Sequence, residues 1–374
     1  LNLKPLSPDN WEVVEFSDHP KHDTIWTNTM GKDGHVYVGL CLEGTGGGVA
    51  QVYQYDTERR CLNHLADMGE VTGEPPDNGH ATQGKVHFSL CHASDGKLYG
   101  ATHCTTPPIG QKLWSPLSMW DDPDMSFPGA HIFRHDTLTG ENVDFGVITP
   151  NDGIPYLMLD EERQCLYGAT YPKAHFFRCN LQGRDFKDYG RISSWYPISM
   201  VFDKVGNLYT SDMNSRLIKY DVAQDKLIFL DTRPYAHSWN TDARFSWITD
   251  MCLAQDGWIY GLTYSNGHLF RFDPREETPQ IEDLGTVLPE LSVEMIRCIV
   301  PDNDGNLYFT ALVDGIGNIL ARYDIATGQS TALNLLEFND KKYFTWRGVC
   351  GSDGTLYLAT IQTLPCALLI YRKN

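Results

Sequence analysis

The sequence predicts an all-β chain folded as a seven-bladed β-propeller, four antiparallel strands per blade, with the ring closed by an N-terminal strand pairing with the C-terminal blade. Three observations predict it. A short phrase recurs seven times, Asp-Gly turns separate apolar strands inside it, and 3.6-residue periodicity is almost absent along the 374 residues.

The phrase reads KDGHVYVGL, SDGKLYGAT, RQCLYGAT, KVGNLYTSD, QDGWIYGLT, NDGNLYFTA and SDGTLYLAT. Its tyrosines are Tyr37, Tyr99, Tyr167, Tyr209, Tyr260, Tyr308 and Tyr357, with spacings from 42 (Tyr167 to Tyr209) to 68 (Tyr99 to Tyr167). Such a period implies one repeated supersecondary unit, so residues 1–374 are expected to form a single propeller domain. Parallel solenoid coils use much shorter periods.

Each unit reads in the same order. An apolar strand such as WITDMCLAQ comes first, and Asp-Gly then turns the chain, because glycine accepts positive φ without steric cost. A second strand carries the Tyr. A third ends in aromatic-x-aromatic-Asp or a close variant, as in VYQYD ending at Asp56, LIKYD at Asp221 and LFRFD at Asp273. A further turn leads to a fourth strand such as KLIFLD. The last unit stops after a third strand, LLIYRKN, and NWEVVEFSD near the N-terminus offers the missing fourth. Residues near 11–16 are therefore expected to pair with residues near 366–372, which would remove exposed sheet edges.

Long gaps between repeats locate insertions. Residues 105–130 interrupt the second blade and contain Trp114, Trp120 and Phe127. GEPPDNGHATQG precedes that blade, and DTRPYAHSWNTDARF precedes the fifth. Long loops without periodicity in a compact fold are usually functional or disordered.

Composition narrows the partners. Lys+Arg 30 against Asp+Glu 48 leaves a net charge of -18, which argues against nucleic acid and anionic membranes. It also requires local basic groups if the substrate is an anion. No apolar run reaches the roughly 20 residues of a membrane-spanning helix. The ten cysteines are scattered, without CxxC, and read as small buried hydrophobes, although a few could pair across strands. The Gly44–Gly48 cluster GTGGG precedes a strand rather than a helix, so it reads as a turn and not as a phosphate cradle. No HExxH, GxSxG or P-loop pattern occurs.

In a propeller the start of the first strand, the end of the second, the start of the third and the end of the fourth lie on one face, the default site. First-strand starts there carry Trp26, His87, Tyr156, Tyr196, Trp247, Arg297 and Arg347. Second-strand ends carry His103, Tyr171 and Tyr264; His175 opens a third strand, Arg191 closes a fourth, and Arg244 lies in the insertion before the fifth blade. His87 and His103 flank one hairpin, so equal travel from the turn brings both imidazoles to one rim. Any single aromatic here is more often packing than a ligand platform. For Arg297 and Arg347 a structural ion pair with a carboxylate ranks ahead of substrate binding. His80, His131, His135 and His268 read as loop or surface residues.

Imidazoles, phenols and guanidinium around one cleft suit proton abstraction beside a carboxylate. In β-elimination on a uronic acid, a cation stabilises charge on the carboxylate while an imidazole or phenolate takes the C5 proton and a second group protonates the leaving oxygen. GKVHFSL…DGKLYGATH followed by YGATYPKAHFFRCNL…DYGR resembles the seven-bladed β-propeller polysaccharide lyases of the ulvan lyase and rhamnosyl-glucuronate lyase type. The specific part of the resemblance is residues 85–104 and 167–191. It implies His87, His103, Tyr171, His175 and Arg191 as catalytic, with Tyr171 or His175 as the remaining acid/base. Trp26, Tyr156, Tyr196, Arg244, Trp247, Tyr264, Arg297 and Arg347 are expected to bind substrate.

The expected function is thus elimination on a rhamnose–glucuronic or iduronic acid glycan such as ulvan. The alternatives are a propeller hydrolase on rhamnosyl-glucuronate linkages and a non-catalytic glycan-binding propeller; a metal-dependent lactonase ranks last. The chemistry needs no cofactor; relatives hold structural Zn or Ca, and no ligand set here assigns one. An acidic polysaccharide or oligosaccharide is the expected partner, with neither nucleic acid nor membrane. A monomer, secreted or periplasmic, completes the expectation.

Overall fold

The computed structural model describes residues 3–43, 47–104, 122, 124–234, 247–264 and 267–373. Among these the chain forms seven four-stranded antiparallel sheets, the blades of a β-propeller, with a single short α-helix at Met68–Thr72 and a minor two-stranded sheet. Blades one to six each run through the sheet in chain order. The seventh has the order Trp11–Glu15, Ala367–Tyr371, Leu356–Ile361, Phe344–Cys350, which is the predicted N-terminal closure. Its seam is held by Phe16 N–H donating to Cys366 O at 3.0 Å and Arg372 N–H donating to Asn10 O at 2.9 Å.

By internal contacts the chain divides into two compact units. One comprises Val13–Ile192 and Ala359–Leu369; the other comprises Leu1–Glu12, Ser193–Leu358 and Ile370–Asn374. The first contains blades one to three and packs Tyr37, Val86, Leu98, Phe133, Leu166 and Phe177 in its cores. The second contains blades four to six and packs Tyr209, Ile259, Phe270, Leu262, Ile296 and Phe309.

The repeated phrase now has a physical reason at each position. The turn Asp accepts from the repeat Tyr: Tyr37 Oη donates to Asp33 at 2.5 Å and Tyr260 Oη to Asp256 at 2.8 Å. Six turns place glycine at positive φ, between 81 and 91°. The copy RQCLYGAT has no such glycine and puts Gln164 at φ 52° instead. The glycine after the repeat Tyr serves packing: a Cβ on Gly261 would stand 2.2 Å from the Phe270 ring, its cross-strand partner. The Asp closing the third strand accepts from the following turn, as Asp56 does from Glu58 and Arg59 N–H. All ten cysteines are free thiols and seven of them are buried.

First strands depart from a plain hairpin. The ladder slips between Ile25 and Thr27, Gly153 and Tyr156, Ile248 and Asp250, and Ile296 and Ile299. Bulges of this kind re-aim side chains near functional sites. In blade two the regular first strand is only Leu90–His92, shorter than the sequence suggests. Ala101 N–H bonds Ser89 O and His103 N–H bonds Lys85 O, so residues 86–88 bulge out of their own blade. Phe88 there joins the first strand of blade three, through Phe88 N–H to Pro155 O at 2.9 Å and Leu157 N–H to Phe88 O at 3.1 Å.

His131 and His135, read from sequence as loop or surface residues, are buried in the third strand of blade two, Gly129–Asp136. His135 bonds Asn142 on the neighbouring strand, whereas His131 bonds Asp144 on that strand and Glu74 from the insertion before the blade. The insertion residues 105–121 and 235–246, including Trp114, Trp120 and Arg244, lie outside the described residues; Phe127 is buried.

Candidate functional site

In the unit of blades one to three, four rings follow one another. Trp26 lies 4.9 Å from His87, His87 lies 5.8 Å from His103 at 83°, and His103 lies 5.2 Å from Tyr171 at 86°. The bulge brings His87 to this row, and the end of the second strand supplies His103. Tyr171 closes the second strand of blade three, Cys165–Tyr171. Phe88 continues the wall, 4.0 Å from His87 and 5.4 Å from Tyr156. The paired imidazoles therefore share one rim, as the hairpin argument requires.

The groups differ in protonation. His87 Nδ1 sits 3.2 Å from Pro155 O; a carbonyl only accepts, so Nδ1 carries a proton. Burial, reinforced by the Lys85 ammonium, holds the His103 pKa well below the usual imidazole range. Burial pushes the Tyr171 phenol up to about 12, with Cys104 adding to it. The arrangement thus offers a neutral imidazole as proton acceptor and a protonated phenol as donor, side by side.

Two residues of this site escaped the sequence reading. Lys85 is buried, pairs with Glu43 at 2.6 Å and stands 5.1 Å from the Trp26 ring centre. Trp26 Nε1–H also donates to Glu43, at 3.0 Å. The signal was present for Lys85, two residues before His87 in GKVHF, whereas Glu43 comes from another blade.

His175 and Arg191 are cross-strand partners at the same end of blade three. The His175 ring turns to Asp188, 2.8 Å away, and its backbone N–H donates to Thr170 Oγ1. Arg191 is exposed.

In the other unit, Trp247, Tyr264 and Trp346 form a second row, with ring centres 5.6 and 6.0 Å apart. Tyr196 and Trp247 line a small pocket with Asp212 and Met213. Arg347 forms the expected ion pair: it bonds the buried Asp250 carboxylate and, at 2.7 Å, Ile198 O. Asp250 also accepts from Ile299 N–H and Met251 N–H. Arg297 behaves otherwise. It is buried, donates Nε–H to Met295 Sδ and an Nη1–H to Asn318 Oδ1 at 3.2 Å, and no carboxylate pairs with it among the described residues. Among the described residues no group of three His, Cys, Asp or Glu side chains is arranged to hold a metal ion.

No protein-family model matches the chain, and no curated protein matches its sequence. Solved structures match its fold. A streptogramin B lyase is 13% identical, with 97% of each chain covered at a TM-score of 0.64. YCF48 bound to a D1 peptide is 10% identical, covering 100% of this chain and 98% of its own, at 0.63. The extracellular domain of a hybrid two-component system from B. thetaiotaomicron is 12% identical and covers 98% of this chain and 40% of that one, at 0.64. These are propellers of varied function, and none of the three is a polysaccharide lyase.

Proposed function

We propose that the chain is a polysaccharide lyase that cleaves a uronic-acid-containing glycan by β-elimination. The observation that supports it most is the continuous row Trp26–His87–His103–Tyr171, in which a neutral imidazole adjoins a protonated phenol. His103 takes the C5 proton, the C4–O bond breaks as the C4–C5 double bond forms, and Tyr171 protonates the leaving oxygen. His87, anchored through Nδ1, helps to place the substrate beside His103. Lys85, beside His103, is the cation this reading assigns to the substrate carboxylate; Arg191 is the alternative, at the outer end of blade three. Trp26 and Tyr156 provide ring faces for the sugars. That one structural neighbour is itself a lyase supports only that such a fold can host an elimination.

Digestion of ulvan followed by the ultraviolet absorbance of the unsaturated uronate tests the reading. Absorbance should grow with the native protein and fall about 10²–10⁴-fold with His103→Ala. New reducing ends without that absorbance would assign hydrolysis. A specific observation favours a second reading, a glycan-binding propeller: His87 and His103 are 2% and 1% exposed, deep for groups that must reach a polymer. Binding of the glycan with unchanged chain length after long incubation would establish it. Export to a secreted or periplasmic location and action as a monomer belong to the same proposal.

A further inference from the structure

Arg297 poses a problem that the elimination chemistry does not answer. A guanidinium carries five N–H donors and a permanent charge. This one is 7% exposed, yet its partners among the described residues are a thioether and an amide oxygen, both neutral. Its charge also faces the rings of Phe344 and Trp346, at 5.3 and 5.8 Å from their centres. Burial depresses its pKa, opposed by Tyr264 nearby. A desolvated cation without an anion is unfavourable, and ring faces offset only part of that. Arg347, in the next first strand, shows the usual solution, a buried carboxylate.

The surroundings suit a ligand. Phe344, Trp346 and Tyr264 are each partly exposed, so the rings around the guanidinium reach solvent while the charge itself is sheltered. Flat apolar faces beside a forked donor match a ring that carries a carboxylate.

We propose that Arg297 holds the carboxylate of an acidic sugar in a binding subsite whose wall is Tyr264, Phe344 and Trp346. The guanidinium takes the carboxylate through donors not used by Met295 and Asn318, and the sugar ring lies against Trp346 and Tyr264. The choice of an acidic sugar rests on the glycan reading above, but binding here needs none of the proton-transfer steps.

Equilibrium binding of methyl β-D-glucuronide, followed by tryptophan fluorescence, tests it without any turnover, since that monosaccharide has no glycosidic leaving group at C4. The native protein should bind the glucuronide at millimolar concentration and not methyl β-D-glucoside. Arg297→Met should weaken binding about ten- to a hundredfold, the range expected for lost charge-assisted hydrogen bonds. Arg297→Lys, which keeps the charge and loses the fork, should fall between. Circular dichroism checks the fold of each variant, and the glucuronide–glucoside contrast on the native protein stands even where a variant fails to fold. Equal binding of the glucoside, undiminished affinity in a folded Arg297→Met, or no binding to the native protein would overturn the proposal. Benzoate bound as tightly as the glucuronide and with the same dependence on Arg297 would overturn the sugar as its ligand.

Discussion

Two buried histidines in the second blade carry opposite charge states. His103 has Lys85 as its charged neighbour and is neutral; burial and that cation act in the same direction. His131 is also buried, but Nδ1–H donates to Asp144 at 3.0 Å and Nε2–H to Glu74 at 3.1 Å. Both nitrogens face carboxylates, so both carry protons. Burial alone would lower the His131 pKa, but Asp144 and then Glu74 raise it to about 9. The contrast teaches that burial pushes both imidazoles towards the neutral form and that two carboxylates at hydrogen-bond distance overturn it at His131, which separates an imidazole that can accept a proton from one that serves as a structural cation.

The largest expected effect tests the neutral member. His103→Ala should lower elimination about 10²–10⁴-fold. Because the native His103 stays neutral as pH falls through 6.5, its titration should not cut activity there; an acid limb centred at 6.5 in the native protein that moves to higher pH in the Lys85→Met variant would break the comparison.

The charged member is read in stability. A pKa raised from 6.5 to about 9 means that the folded state holds its proton more tightly than the unfolded chain. The stabilisation is fully present below pH 6.5 and is lost as pH climbs through about 9. It amounts to about 3 kcal/mol. Urea unfolding across pH 6–10 should show that decline in the native protein and little of it in His131→Gln. A native curve flat over this window would mean that His131 is not the cation described.

The smallest effect, a shift of the acid limb, sharpens the neutral member again. Lys85→Met removes the cation beside His103 and the one assigned to the substrate carboxylate, so activity should fall, while the His103 pKa rises and the acid limb of the remaining activity moves to higher pH. Glu43 loses the ammonium but keeps the Trp26 Nε1–H, so the substitution should cost about 1–2 kcal/mol of stability. A limb that does not move would show that burial alone keeps His103 neutral.

How much of this was legible in the sequence depends on the distance between partners. Asp-Gly and the repeat Tyr are a local bond, Asp256 to Tyr260 and Asp33 to Tyr37, so the blade pattern could be read directly. The hairpin joining His87 and His103 was local as well, and the shared rim followed from it. The bulge at residues 86–88 was not legible, because its stabilising bonds go to Pro155 and Leu157 of another blade. Glu74 lies in the insertion before blade two and Asp144 in that blade's fourth strand, so strand alternation could not reveal the charge of His131. Arg297 and Arg347 occupy equivalent strands and looked alike; only the fold shows that Asp250 meets one of them.

The seam between Phe16 and Cys366 also bears on how the chain is made. Six sheets can assemble from segments close together on a nascent polypeptide, but the seventh waits for its final strand to leave the ribosome. Until then Trp11–Glu15 has no edge to join and the apolar second strand Leu356–Ile361 lacks a neighbour. Closing so long a loop adds little entropic penalty beyond that of a shorter one, since the penalty grows only with the logarithm of length. Its burden is kinetic: the interval before the ends meet is when this molecule is most exposed to aggregation.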